Sequence, residues 1–196
     1  MSVYDAIIVG SGPNGLSAAI TLLEQGRSVL VIEGKDTPGG GLRSAETTLP
    51  GFTHDICSAI HPLGMASPFF RSQSLAEHGL RWILPPAQVA HPLDDGSAVI
   101  FERSLDATAA SMGRDAAAYR RLIGPHVGNW KNLIDQMLGP LRFPRRPLRL
   151  ALFGLPSLLP ATMLARLAFR GERARAAFAG MAAHSMLALE TPISGA

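Results

Sequence analysis

Tyr4-Asp5-Ala6-Ile7-Ile8-Val9-Gly10-Ser11-Gly12-Pro13-Asn14-Gly15 opens the stretch that decides the fold, and the chain runs on as LSAAITLLEQGRSVLVIE to Glu33. Residues 4–9 are a short apolar run rich in β-branched side chains, the pattern of a parallel strand buried on both faces. A glycine-rich turn follows at once. LSAAITLLEQG then reads as a helix with Gly26 as its C-terminal stop, and SVLVIE reads as a second buried strand ending at Glu33. The three elements form a βαβ unit with a tight front turn. Each glycine has a separate task. Gly10 lets the strand turn sharply into the helix, Gly12 leaves room for a pyrophosphate against the backbone, and Gly15 lets helix and strand lie close. The N–H groups at the helix start and the helix dipole then favour an anion. Glu33 lies 18 residues after Gly15, near the spacing of an acid that accepts hydrogen bonds from a ribose. A carboxylate there repels a 2′-phosphate, which disfavours NADP.

The residues after Glu33 narrow the reading. A nicotinamide dehydrogenase usually continues into another helix and strand. Here Gly34-Lys35-Asp36-Thr37-Pro38 leads into Gly39-Gly40-Gly41-Leu42-Arg43-Ser44. A triple glycine is unsuited to a helix interior. It can instead bring backbone against a second part of a bound cofactor, and Arg43 can offer a fork of donors to phosphate.

The turn GSGPNGLSAA, Glu33 and the segment GGGLRS together resemble the FAD-binding N-terminus of the phytoene desaturase-like flavoproteins, within the amine oxidase and FAD-dependent oxidoreductase superfamily. Phe52 to Pro62, FTHDICSAIHP, strengthens the likeness. It is similar to the branch called pyridine nucleotide-disulfide oxidoreductase domain-containing protein 2 and its bacterial relatives. The specific motifs lie in residues 7–62. The resemblance implies an α/β fold: a Rossmann-like FAD-binding βαβ domain followed by part of an α+β substrate domain. It implies that Gly10, Ser11, Gly12, Pro13, Asn14 and Gly15 surround the pyrophosphate of FAD. Glu33, flanked by Gly34 and Lys35, would take the adenosine ribose. Gly40, Gly41 and Arg43 would lie near the phosphates or the ribityl chain, and Ile60 and His61 would approach the flavin. No catalytic residue is assigned; His54, Asp55 and His61 are the nearest candidates.

Residues 1–62 are read as the N-terminal part of the FAD-binding domain and residues 63–196 as a partial substrate domain. In the second part, RWILPP reads as extended. QVAHPL, Asp94-Asp95-Gly96 and SAVIFE read as a hairpin. Residues 104–138 read as two helices divided at Gly124-Pro125. Residues 139–176 mix Leu, Phe and Pro with eight arginines: Arg142, Arg145, Arg146, Arg149, Arg166, Arg170, Arg173 and Arg175. They stand against one acid, Glu172. That pattern suits either an arginine-lined helical substrate domain or a peripheral contact with an anionic membrane.

Composition excludes several classes. At 47% hydrophobic and 17% charged over 196 residues, the chain is too apolar for a disordered protein. A net charge of +3 is too small to argue for nucleic acid. The single cysteine, Cys57, excludes an internal disulfide and a Cys-x-x-Cys pair, and no Cys/His cluster suggests a metal. The first ten residues have no basic start, so no signal peptide is expected. A cytoplasmic location follows, extending to the inner face of a membrane if residues 139–176 touch lipid. The leading function is hydride transfer from a small hydrophobic organic substrate to FAD. The alternatives are an NAD-dependent dehydrogenase and a non-catalytic lipid-binding escort of the Rab GDP-dissociation-inhibitor type. The superfamily completes its FAD site with a late glycine-rich segment that these residues lack. The resemblance therefore implies an N-terminal portion, completed by a further C-terminal portion or a second polypeptide.

Overall fold

The computed structural model describes residues 3–195. These divide into two compact units that part between Gln73 and Ser74. In the first, strand β1 (Ala6–Val9), helix α1 (Pro13–Glu24) and strand β2 (Val29–Ile32) form the expected βαβ unit. The two strands are parallel, with Ala6 opposite Val29 and Val9 opposite Ile32. Gly26 adopts φ 73°, and its amide donates to the Leu23 carbonyl, so the glycine ends α1 as the sequence suggests.

One expectation about the strands does not hold. Strand β1 is covered on one face only. Ile8 lies toward α1, but Ile7 is 60% exposed and Val9 84% exposed. Side chains alternate along a strand, so a single helix can bury only half of them. A near-continuous apolar run records what the strand suits, not what covers it in this chain.

After β2 a 3-10 turn over Gly40–Leu42 leads into an antiparallel hairpin of β3 (Ser44–Glu46) and β4 (Thr53–Asp55). Two short helices, α2 (Pro62–Ala66) and α3 (Pro68–Ser72), close the unit. Both open on proline, whose fixed φ suits the first helical position. The compact unit therefore runs past residue 62, through both short helices.

The second unit begins with the expected hairpin, β5 (Ala87–Pro92) and β6 (Ala98–Glu102). The Asp95 carboxylate accepts from the Ser97 amide (2.9 Å) and hydroxyl (2.6 Å), which sets the turn. Residues 81–86, read as extended, form no strand. Two prolines in RWILPP remove the amide donors that a ladder needs.

Four helices follow the hairpin region closely: α4 (Leu105–Ser111), α5 (Ala116–Val127), α6 (Trp130–Met137) and α7 (Pro147–Ser157). The expected division at Gly124-Pro125 is corrected. Helix α5 runs through Pro125 and ends at Val127, and the break falls at Gly128-Asn129. Pro125 withholds one hydrogen bond from the Arg121 carbonyl, and the helix ends two residues later at Val127.

Helices α8 (Ala161–Ala168) and α9 (Glu172–Ala182) complete the unit. Its core is Val99, Met112, Phe169, Ala174 and Ala177, drawn from β6, the ends of α4 and α8, and α9. Asp115 is buried and caps α9 from outside it, accepting from the amides of Arg170 (2.8 Å) and Gly171 (2.6 Å). Two of the arginines read as surface are tied into the fold. Arg173 donates to the Ser111 carbonyl (2.7 Å), the Ser97 hydroxyl (2.6 Å) and the Ala98 carbonyl, and Arg175 to the Phe169 carbonyl (2.9 Å).

Candidate functional site

The front turn of the first unit is built around an uncapped helix start. Gly12 is the N-cap of α1 and has no side chain to offer its amides. Pro13 at the next position carries no N–H. The first bond within the helix runs from the Leu16 amide to the Gly12 carbonyl, at 2.9 Å. The amides of Asn14 and Gly15 therefore have no partner within the helix, at the positive end of its dipole. A ligand anion is the group such a terminus accommodates.

The glycines hold this terminus in place by contact that a side chain would prevent. Gly10 turns the strand at φ 95°. A Cβ at Gly15 would overlap the Gly10 carbonyl oxygen, so helix and strand meet only because residue 15 has none. Both roles were legible in the spacing.

The triple glycine does something the sequence did not specify. It packs against the front turn itself. The Gly39 amide donates to the Ser11 carbonyl at 3.0 Å, with Gly39 at φ 119°. A Cβ at Gly40 would stand 2.9 Å from the Gly12 Cα, and Gly40 itself lies at φ 57°. Two glycine segments separated by the whole of α1 and β2 thus meet backbone to backbone. Arg43 donates from Nε to the Gly40 carbonyl at 3.0 Å, so its guanidinium is anchored over the same turn.

Glu33 also has a structural part that spacing alone did not show. Its Oε2 accepts from the Ser11 hydroxyl at 2.6 Å and the Ser11 amide at 2.8 Å, and its Oε1 accepts from the Lys35 amide at 3.0 Å. These bonds, the Ser11 hydroxyl foremost, hold its pKa at about 2, well below the ordinary 4.5. The carboxylate ties the end of β2 to the front turn and stays charged through any working pH. Oε1 keeps a lone pair for one further donor.

This gives a pH prediction with a definite sign. A folded-state pKa depressed from 4.5 to about 2 stabilises the fold fully above 4.5, and that share is lost as pH falls toward 2. Glu33→Gln is therefore expected to lower the melting temperature at pH 7 and to converge on the parent protein near pH 2. Thermal unfolding of both proteins across that range checks it. A difference that stays constant with pH would mean that the ionised carboxylate is not what holds Ser11.

The remaining candidates are more loosely connected. The Ser58 amide donates to the Gly41 carbonyl at 2.9 Å, which ties the following loop to the glycine segment. Ile60 and His61 lie just beyond it. Ile60 is exposed, and His61 precedes α2 as its N-cap, with its carbonyl accepting from Met65. Neither side chain is hydrogen-bonded to the glycine turns among the described residues. His54 bonds to Thr48 at 2.7 Å and Asp55 accepts from Ser44 at 3.0 Å, so both are engaged within the β3–β4 hairpin.

Comparison with known proteins agrees with this geometry. Residues 8–72 match the family described as an NAD(P)-binding Rossmann-like domain. The chain is 32% identical over 137 residues to hydroxyneurosporene desaturase of Rhodobacter capsulatus, covering 66% of this chain and 27% of that one. It is 30% identical to the Cereibacter sphaeroides hydroxyneurosporene desaturase, covering 90% of this chain and 38% of that one. The chain thus spans well under half the length of these relatives. A redesigned putrescine oxidase superposes over 98% of this chain and 40% of its own, with TM-score 0.58 and 21% identity, a likeness of fold.

Proposed function

We propose that this chain, a relative of the phytoene desaturase-like oxidoreductases with an NAD(P)-binding Rossmann-like domain at its front, binds FAD and belongs to an enzyme that oxidises a hydrophobic organic substrate. The observation that carries the reading is the seam between Gly12 and Gly40. A second glycine segment packed on the phosphate turn gives the cofactor a continuous backbone wall. The residues fit a dinucleotide. The orphan amides of α1 suit a pyrophosphate, and Oε1 of Glu33 can accept from a ribose hydroxyl. The desaturase relatives favour FAD over a nicotinamide cofactor, as does the turn after β2, which has glycines where a further helix and strand would follow.

When bound, FAD would supply a two-electron acceptor for a hydride from a substrate C–H bond. The chain's own part is to bind and orient. Gly10, Gly12 and Gly15 keep the turn close, while Asn14 and Gly15 offer amides to phosphate. Glu33 fixes Ser11 and rejects a 2′-phosphate by charge. Gly40, Gly41 and Arg43 continue the wall, and the loop of Ile60 and His61 extends it toward the ring. The resemblance makes a hydrophobic organic substrate the expected class.

Equilibrium titration of the purified chain with FAD, NAD and NADP tests the reading. FAD is expected to bind best, and NADP at least about tenfold weaker than NAD, the cost of a 2′-phosphate beside a carboxylate. Failure of FAD to bind below about 1 mM with the completing C-terminal portion supplied in trans would sink the assignment. A preference for NAD would point to a nicotinamide dehydrogenase instead.

Cys57 is exposed and lies beside Gly41. Cys57→Ser is expected to retain cofactor binding and redox activity, because a lone thiol cannot cycle through an internal disulfide. Loss of turnover in a variant that still binds FAD would show that the thiol takes part in the chemistry.

A further inference from the structure

We infer that α7 and α8 form a face that docks on an anionic lipid surface, lying along it rather than crossing it. The inference rests on the second unit alone and is independent of the cofactor assignment.

Helix α7 is apolar on two sides. Its inner side packs: Phe153 meets His126 edge to face at 5.5 Å, and Ser157 is buried. Its outer side is left bare. Leu148, Leu152 and Leu155, at i, i+4 and i+7, are 86%, 54% and 66% exposed. Three leucines on one stripe of a surface helix form a contiguous apolar strip, which a water-facing helix would ordinarily replace with polar residues. Leu141 and Phe143, just before the helix, are exposed as well.

Charge identifies the partner. From residue 136 to residue 171 the chain has no acidic residue and six arginines: Arg142, Arg145, Arg146, Arg149, Arg166 and Arg170. All six are exposed, unlike Arg173 and Arg175. Arg145, Arg146 and Arg149 bracket the start of the leucine stripe. Helix α8 repeats the pattern, with Met163 and Leu167 exposed one turn apart and Arg166 and Arg170 beside them. Apolar side chains at acyl depth with guanidinium groups at phosphate depth are what an anionic bilayer surface accepts. A second copy of the chain would bring six positive charges against six more, so self-association through this face is disfavoured.

Geometry separates lying on a membrane from spanning it. No single helix among the described residues is long and apolar enough to cross a bilayer, and α7 and α8 meet at 104°. The bend is held by the chain's own later residues. Ser194 Oγ accepts from the Ala161 amide at 2.9 Å, and the amides of Ile193 and Gly195 donate to the carbonyls of Leu158 and Leu159 at 3.1 Å. The inner side of the bend is buried protein, with Ala161, Leu164 and Ala165 covered. Only its outer side is available to lipid.

Vesicle co-flotation of the chain tests the proposal. Phosphatidylcholine vesicles with about 30 mol% phosphatidylglycerol are expected to bind it at least about tenfold more tightly than pure phosphatidylcholine, and less so as salt rises. Replacing Arg145 and Arg149 by Gln is expected to weaken that binding about thirtyfold, at roughly fivefold per basic residue. Leu152→Ser with Leu155→Ser is expected to weaken it by about tenfold or more. All four positions are exposed, so the variants should keep the parent's circular dichroism. Equal affinity for neutral and anionic vesicles overturns the proposal, and that comparison needs no variant. So does unchanged binding in both variants. Light scattering that shows a dimer dissolved by the leucine changes, with no vesicle binding, would assign the face to a second copy and overturn it too.

Discussion

Gly12→Asp is expected to abolish dinucleotide binding while leaving the fold intact or slightly firmer. Residue 12 is the N-cap of α1, at φ −71° and ψ 174°, a conformation open to any residue. A Cβ there meets only the Gly40 Cα, at 3.7 Å, an ordinary contact. Aspartate is also among the preferred N-caps, worth roughly a few tenths of a kcal/mol over glycine because its carboxylate accepts from the first helical amides. Those are the amides assigned to the pyrophosphate. The new carboxylate would occupy them and place a negative charge against the ligand's own, a repulsion of about 4 kcal/mol at 4 Å in a surface-like dielectric. At least a hundredfold loss of affinity is therefore expected, about 2.8 kcal/mol at 1.4 kcal/mol per tenfold. Denaturant unfolding and cofactor titration of the same variant separate the two effects. Unchanged affinity in a folded variant would remove the phosphate assignment. Unfolding would show that the contact with Gly40 has no slack.

Gly15→Ala has the opposite signature. Its Cβ would overlap the Gly10 carbonyl oxygen and press on Gly10 C at 3.2 Å and Ile8 at 3.4 Å. Backbone cannot swing aside as a flexible side chain can, so α1 must lift from β1. The expected loss is about 3 kcal/mol, the upper end for overpacking, out of a total that is typically about 5–15 kcal/mol for a domain. The first unit would then open to protease before the second. Gly34→Ala is the control: a Cβ there meets nothing within 4 Å, and its φ is not in the left-handed region, so it should stay within about 0.5 kcal/mol of the parent. Equal stabilities for the two variants would mean that α1 and β1 are not held as close as the geometry requires.

The βαβ unit, its glycine turn and the acid at the end of the second strand were readable because they rest on local chemistry. A turn with Gly10 at φ 95° needs a residue without a Cβ wherever it occurs. The hairpin at 87–102 was readable for the same reason, since Asp95 and Ser97 build its turn between neighbours. The errors fell where neighbours decide. Pro125 punctuates the sequence, yet the helix passes through it, because one lost bond near a helix end weighs little against packing. Arg173 and Arg175 read as members of a basic face, yet their donors go to carbonyls and a hydroxyl within the second unit.

The sequence by itself determined the order of elements, the positions that must be glycine for the front turn, and the presence of an acid at the end of β2. Those are consequences of spacing and of what each residue type allows its own backbone. Only the tertiary structure decided that Gly40 lies against Gly12, that Glu33 fastens Ser11, and that the outer sides of β1 and α7 are bare. Each of these depends on which distant segment fills the space beside a residue. Composition records that Ile7 and Leu152 are apolar, but burial belongs to the neighbour. The same carboxylate could stand free or accept from Ser11, and only the approach of β2 to the turn brings the two within 2.6 Å.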